Sequence, residues 1–401
     1  MSNSVIMNKK YRYISLFCGC GGFDLGMEID EFECIGAFDI NKLVVSVYNK
    51  NIANVAQVFD LSRDFNFKHS DLDVILSGAP CQGFSTAGKR NLHDPRNSLF
   101  LRAVEIVLQQ KPKVFIAENV SGILSGQHKI KYMDVAISLL ESSGYKTSLS
   151  VVDCRNLGMA QMRKRAILIA WNTGKKFNLP DPVGRPMTIR EAIGDISGGI
   201  DNHEPSTCRA IGVQSVIAKR IRPGQKLSNV RSGKRSVHTW DIPEVYGKTC
   251  KKERDVLEAI LRIRRKERIR DWGDADPVSL ESLKQYLGYD PIKTVCKLKE
   301  KGFIKNKDEK IDLTNTFNGK YRRLCWDEQS LTVDTRFGSP ILFLHPTEDR
   351  AYTVREAARL QGFPDCFTFE GPLKAQYEMV GNAVPPPLAA FICRCIVNLL
   401  S

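Results

Sequence analysis

Tyr13-Ile14-Ser15-Leu16-Phe17-Cys18-Gly19-Cys20-Gly21-Gly22 is a short apolar run that opens into glycines. Such a run reads as a buried strand, and the glycines behind it let the backbone turn tightly and approach a ligand closely. The pattern continues outward from there. Further apolar runs at 34–38, 55–58, 74–77, 114–117, 148–152 and 166–170 alternate with stretches of helical period at 41–50, 98–110 and 132–142. This alternation predicts an α/β fold: a doubly wound, mostly parallel sheet with helices on both faces. Ligands then bind beyond the carboxyl ends of the strands.

The unusual residues sit at those ends. The glycine turn departs from the dinucleotide fingerprint G-x-G-x-x-G, because the last glycine is replaced by Asp24, so a pyrophosphate and hence a nicotinamide dehydrogenase are disfavoured. Asp39 ends the second strand, where a carboxylate can accept from two ribose hydroxyls, and Asp60 follows the third. An acidic lining suits adenosine without phosphates. Pro80-Cys81-Gln82-Gly83-Phe84-Ser85 follows the fourth strand, and a cysteine so placed can present a thiolate nucleophile. Glu118-Asn119-Val120 ends the fifth, and Gln161-Met162-Arg163-Lys164-Arg165 fixes cations before the last. Each feature alone has an ordinary reading, Cys81 as a packed small residue and the acids as chance strand ends. Thiol, carboxyl and guanidinium converging on one crevice is the chemistry that activates a ring as a Michael acceptor.

The chain has 401 residues, 42% of them hydrophobic, enough for a large core and a smaller module. It contains no uninterrupted apolar run of membrane-spanning length, and its polar, basic first ten residues lack an apolar stretch behind them. Neither a membrane span nor a secretory signal is expected. The twelve cysteines are scattered, with Cys18-x-Cys20 and Cys393-x-Cys395 the closest pairs and no C-x-x-C, so no metal site is expected.

Net charge is +14, and residues 201–320 hold 27 Lys and Arg against 17 Asp and Glu. Ten of the fourteen surplus charges therefore fall in one block, which points to a polyanionic partner, a solvated basic surface being the ordinary alternative. Within that block Val256, Leu257, Ile260 and Leu261 recur at helical spacing among Arg262, Arg264, Arg265 and Arg268. A short helical stretch (Leu280, Leu283, Leu287), another opened by Asp290-Pro291, and a small hairpin around Phe303-Ile304 and 311–313 follow. Residues 255–313 read as a winged-helix-like segment or, equally, as a generic helical insert. Helices at 355–360 and 387–399, joined by a loop, return to the first domain. The expected organisation is 1–200, a basic module at 201–320, and a return segment at 321–401.

The ordered set resembles the DNA (cytosine-5)-methyltransferase family: the Phe17–Gly22 turn, Pro80-Cys81-Gln82, Glu118-Asn119-Val120, Gln161-x-Arg163-x-Arg165, Arg355-Glu356-Ala357-Ala358-Arg359-Leu360-Gln361-Gly362-Phe363-Pro364, and Gly381-Asn382-Ala383-Val384-Pro385. The resemblance covers about residues 11–200 and 320–400. It implies a Rossmann-like catalytic domain that uses S-adenosyl-L-methionine and releases S-adenosyl-L-homocysteine, with 201–320 as target-recognition domain. Cys81 would add to carbon 6 of a flipped-out cytosine, Glu118 would hold the ring near N3 and the amino group, and Arg165, with Arg163 beside it, would face O2. Around the cofactor the resemblance implies Phe17 against the adenine, Asp39 on the ribose, Asp60 near the adenine amino group and Asn382 near the methionine end. Gly19, Gly21, Gly22, Ile40, Leu61, Pro80 and Val384 would complete that site. The ribose acid is usually Glu in the family, so Asp39 must sit closer. Gln82, Ser85, Lys89, Arg90 and Arg96 would lie on a mobile DNA-closing loop, and Arg262 and Arg265 would contact DNA from the basic module. Arg355 would brace the junction between core and module.

The resemblance further implies double-stranded DNA as partner and a role in a restriction–modification or related defence system with its nuclease. The expected protein is a monomer, cytoplasmic and nucleoid-associated in a prokaryotic cell. An RNA substrate is the alternative, since a relative of the family methylates transfer RNA. A regulator that had lost catalysis would be missing Cys81, Glu118 or Arg165, and all three are present.

Overall fold

A computed structural model describes residues 10–401 except 28–30, 68, 70, 81–90, 93, 232 and 270–275. Seven strands build one sheet: β1 (Tyr11–Leu16), β2 (Phe32–Asp39), β3 (Ala56–Val58), β4 (Val74–Ser77), β5 (Val114–Val120), β6 (Lys146–Asp153) and β7 (Lys164–Trp171). Their order is β3-β2-β1-β4-β5-β7-β6. Strands β1 to β5 pair in parallel, whereas β7 runs antiparallel between β5 and β6. The strand order reverses beside β1, so the crevice beyond its carboxyl end is where such a sheet takes a ligand.

Alternation along each strand sends side chains to opposite faces. Ile14, Leu16, Ile75, Phe115, Ala117, Leu168 and Ala170 form one buried face with residues of two of the helices. The helices of this region are α1 (Gly22–Leu25), α2 (Lys42–Asn51), α3 (Ser98–Gln110) and α4 (Asp134–Ser142). Phe100, Ala103, Val104 and Val107 of α3 and Ala136 and Leu140 of α4 cover that face. Tyr13, Val74, Leu76, Val114, Ile116, Ile167 and Ile169 form the other. Burial of each such aliphatic side chain contributes about 1.5–3 kcal/mol.

The chain divides into two compact units. The first holds the described residues up to His203 together with Asp327–Thr335 and Val354–Ser401; the second holds Glu204–Trp326 and Arg336–Thr353. The expected return segment from 321 is thus shared: 321–326 and 336–353 stay with the second unit. Residues around Ser330 reach the first unit through backbone pairing, Ser330 donating to the Ala160 carbonyl at 2.7 Å and Met162 to the Ser330 carbonyl at 2.8 Å.

In the second unit, α5 (Lys251–Lys266), α6 (Leu280–Leu287) and α7 (Ile292–Glu300) precede a hairpin of β8 (Ile304–Lys307) and β9 (Lys310–Leu313). Val278 bridges Ile311, the two exchanging backbone hydrogen bonds at 2.7 and 2.8 Å. Helix, short strand, two helices and a two-stranded wing is the order of a winged helix. Its core joins Val256, Leu257, Ile260, Leu283, Val295, Leu298, Phe303 and Leu313. Separately, Lys226–Ser228 forms the middle of a three-stranded sheet with Ser236–Val237 and Asn318–Lys320.

The first unit closes with α8 (Val354–Gln361), α9 (Leu373–Asn382) and α10 (Pro386–Leu400). Leu373–Leu400 is long and apolar enough, by length and composition, to cross a membrane. Here it is two helices separated by extended Ala383 and Pro385, and Leu388, Ile392, Cys393, Ile396 and Leu399 of α10 cover the second face of the sheet.

Candidate active site

The turn after β1 depends on unusual backbone. Phe17, Gly19 and Gly21 have φ of 56°, 54° and 96°, a region that side chains with a Cβ avoid. Phe17 accepts that strain at the rim of a cavity of about 310 Å³, where strain is commonly stored. Gly19 lines the cavity. Gly21 and Gly22, expected on the cofactor, shape the turn from behind: a Cβ on Gly21 would meet Ile52 at 2.7 Å, and one on Gly22 the Val384 carbonyl oxygen at 2.4 Å.

Asp39 ends β2 with both carboxylate oxygens anchored, one accepting from the Gly19 amide at 3.1 Å and the other from the Asn41 amide at 2.9 Å. Burial nevertheless pushes its carboxyl above the ordinary range, outweighing those two hydrogen bonds. Each oxygen keeps a lone pair for a further donor. Asp60 also lines the cavity; hydrogen bonds from the Ser62 hydroxyl and amide hold its carboxyl low. Ile40, next to Asp39 in the chain and also in the lining, leaves two-thirds of its surface uncovered. Leu61, Pro80, Asn382 and Val384 line the same cavity. Two acids and an open apolar side chain in one lining match the donors and the flat ring of a nucleoside, and the volume falls at the small end of ligand pockets.

Glu118 and Arg165 line the same cavity. Glu118 lies in β5 and Arg165 in β7, where it pairs with Val120. Arg165 Nε is 2.7 Å from Glu118 Oε1, each side chain 10% exposed. The approach is an ion pair without hydrogen-bond alignment, and Oε1 accepts no hydrogen bond among the described residues. Arg165 Nη1 donates to the Lys164 carbonyl at 2.8 Å, which fixes its plane.

Arg163, expected as a second catalytic cation, lines the cavity too, and its guanidinium also makes backbone contacts. It is 2% exposed, and its Nη1 and Nη2 donate to the Val333 and Ala383 carbonyls at 3.1 and 2.9 Å. Gln161 accepts from the Val333 amide at 3.1 Å and donates to the Leu360 carbonyl at 2.9 Å, while Gln361 donates to Ala383 at 2.8 Å. The Gln-x-Arg pair therefore binds the Val333 and Ala383 segments together beside the cavity, and Arg165 alone of the two arginines meets Glu118.

Cys81, Gln82, Ser85, Lys89 and Arg90 lie outside the described residues; Pro80, immediately before them, lines the cavity. Arg96 is bound to Asp94 by a two-pronged contact at 2.9 and 2.7 Å. Arg262, on α5 of the second unit, donates to the Tyr286 hydroxyl at 3.2 Å, and Arg265 on the same helix is exposed. Arg355 is fully buried and donates to the carbonyls of Asp201, Pro364 and Phe367 at 2.9, 3.0 and 2.7 Å. It ties the last residues before the chain leaves the first unit. Cavity residues without a local sequence signal include Ala375, Glu378 and Met379, supplied by α9. The Gly381-Asn382 dipeptide marks their approach, since a Cβ at Gly381 would meet the Thr335 amide nitrogen at 2.4 Å. Among the described residues no group of three His, Cys, Asp or Glu side chains could hold a metal ion.

The family model described as C-5 cytosine-specific DNA methylase matches residues 11–398. The Type II methyltransferase M.XorII of Xanthomonas oryzae pv. oryzae is 30% identical over 398 residues, covering 96% of this chain and 84% of its own. M.NlaIV of Neisseria lactamica, also a Type II methyltransferase, is 25% identical over 437 residues, covering 98% and 100%. Among solved structures, the S. pombe Dnmt2 methyltransferase aligns over 98% of this chain and 99% of its own with a TM-score of 0.57 and 14% identity, a likeness of fold.

Proposed function

The chain belongs to the C-5 cytosine-specific DNA methylase family and is a DNA (cytosine-5)-methyltransferase; from that premise we propose that Cys81, Glu118 and Arg165 carry the reaction on a flipped-out cytosine in duplex DNA. The observation that carries the proposal is the Glu118–Arg165 pair facing the cavity that Phe17, Asp39 and Asp60 also line. Family members use S-adenosylmethionine, and the proposal seats it against Phe17 and Ile40. Asp39 would take the ribose hydroxyls, Asp60 would stand near the adenine amino group and Asn382 at the methionine end. Its chemistry is a methyl group on a sulfonium, given up with the formation of S-adenosylhomocysteine.

The protein's own part follows from charge. A Cys81 thiolate forms a bond to carbon 6, and the electrons of the 5,6 double bond move to carbon 5, which becomes nucleophilic. Negative charge builds toward O2 and N3 of the ring. Arg165, already fixed by Lys164 and Glu118, presents a guanidinium there in a site poor in water, where a placed cation counts most. Glu118, which lines the same cavity, takes a hydrogen bond from the ring amino group and orients the base. When carbon 5 has been methylated it loses its proton, the double bond re-forms and the sulfur leaves. The base must leave its stack for any of this, at a cost of a few kcal/mol.

The Type II relatives support a modification role beside a nuclease of the same specificity. Bisulfite sequencing of DNA from cells expressing the protein is expected to show 5-methylcytosine at one sequence. Cys81→Ala is expected to abolish it while calorimetry still detects S-adenosylhomocysteine binding. Turnover by the Ala variant would overturn the assignment of the nucleophile.

A further inference from the structure

We infer that α7 is the helix that enters the major groove and reads bases, with the β8–β9 wing on the neighbouring phosphates. This rests on the proposal that the substrate is duplex DNA. The two inward residues of α7, Val295 and Leu298, pack into the core of the winged helix. Its other side exposes Lys293, Cys296, Lys297 and Glu300, spaced i, i+3, i+4 and i+7 and so aligned on one face.

Residues 292–310 hold seven lysines against three acids. Lys305, Lys307 and Lys310 stand exposed on the wing, whose tip turns through Asp308 and Glu309 at φ of 47° and 62°. A helix of this length fits the major groove, where lysine can reach guanine O6 and N7. Wing lysines are placed for backbone contacts, which position without specifying sequence.

The mounting of α7 also points to a reader. Two residues before its start, Asp290 accepts from the Ile292 amide at 3.0 Å. Just past its end, Lys301 Nζ is 2.7 Å from the buried carboxylate of Glu253 at the start of α5. The corner before α7 exposes Tyr289 and Ile292 by 40% and 49%, apolar surface suited to sugar edges and thymine methyl groups. On α5, Arg264 is buried against Asp312 and Arg262 meets the Tyr286 hydroxyl, which leaves Arg265 as the exposed arginine of that helix. The DNA contacts expected of Arg262 and Arg265 on α5 stand beside this assignment, which gives base reading to α7.

The test uses the full chain and a random pool of duplex DNA, selecting bound molecules without turnover. K293A/K297A is expected to weaken binding to the parent's preferred sequence about ten- to a hundredfold and to relax preference at one or more base positions, with thermal stability and S-adenosylhomocysteine affinity unchanged. K305A/K307A/K310A is expected to leave the preferred sequence intact and to make the slope of log affinity against log salt shallower by about one for each phosphate no longer neutralised. An unchanged preferred sequence in the α7 variant, with or without uniform weakening, overturns the assignment, as does a parent protein that selects no sequence. Bisulfite sequencing of the parent and of K293A/K297A keeps the two readings apart: selective binding without 5-methylcytosine in the parent sinks the reaction and leaves α7, while methylation at the same sequence in both does the reverse.

Discussion

Arg165 Nε stands 2.7 Å from Glu118 Oε1 across adjacent antiparallel strands, with nine-tenths of each side chain buried. Two opposite charges so enclosed depend on each other, since removing one leaves the other uncompensated at about 3–5 kcal/mol. The pair also holds the two polar groups assigned to the base. Arg165→Met is therefore expected to lower kcat by more than about a hundredfold, the scale of a missing charge-stabilising donor, and to lower Tm. Glu118→Gln keeps the shape and an acceptor oxygen, so it should lose kcat with a smaller fall in Tm. Steady-state kinetics and thermal melts check both, and turnover within tenfold of the parent in Arg165→Met would remove the pair from the mechanism.

Asp39 offers a second measurable. Its carboxylate is held at 3.1 Å by Gly19 and at 2.9 Å by Asn41, so a ribose would meet it without rearrangement. Loss of hydrogen bonds to a charged group costs about 1.5–3 kcal/mol, so Asp39→Ala should raise the Kd for S-adenosylhomocysteine about ten- to a hundredfold by calorimetry. Part of that loss reflects a looser Gly19 turn, and Asp39→Asn, which can still accept from Gly19, should fall between. An Ala variant that binds within twofold of the parent would place the cofactor elsewhere.

Asp24 gives a pH dependence. It is fully buried behind the glycine turn and accepts from the Ser15 and Tyr48 hydroxyls, each at 2.9 Å. Burial raises its carboxyl from 3.8 to about 6, against the pull of those hydrogen bonds. Between these values the folded chain holds a proton that the unfolded chain has released, so stability falls as pH rises. By pH 7 the loss is about 3 kcal/mol at 1.36 kcal/mol per unit, and below pH 3.8 it vanishes. Asp24→Asn does not ionise, so its stability relative to the parent should improve steadily from pH 4 to pH 7 in chemical denaturation. A difference that stays constant with pH would show that Asp24 does not titrate in this window.

The strands were legible because strands buried on both faces are near-continuous apolar runs, and Asp39 and Glu118 because each is a charge in or at the end of one. Arg163 and Arg165 were not separable by residue type. They differ because Arg163 precedes β7, within reach of the Val333 and Ala383 carbonyls, while Arg165 lies inside the strand beside Glu118. Gly22 read as a glycine for a ligand, yet the atom it admits is the Val384 carbonyl oxygen, from a segment some 360 positions later. Helix α9 was missed for the same reason. Its buried residues, Tyr377, Met379 and Val380, form no repeating stripe, and its place depends on the chain's return, which no local pattern encodes.

Arg264 and Asp312 bind α5 to the wing strand β9 in the second unit, at 2.8 Å with side chains 5% and 10% exposed. Asp312 is flanked by Ile311 and Leu313, both in the core of that unit, so a charge left alone there has no route to water. Asp312→Ala should destabilise the second unit by about 3–5 kcal/mol, whereas replacing both partners with apolar residues of similar volume should cost far less. Hydrogen exchange localises the effect: in Asp312→Ala the amides of β8, β9 and α5 should lose protection, and those of β1 to β5 should keep theirs. Target binding should weaken with the wing while S-adenosylhomocysteine affinity stays within twofold. If Asp312→Ala and the double variant R264M/D312L are equally unstable, the ion pair is not what holds the wing to α5, and the apolar contacts of Ile311 and Leu313 carry that junction instead.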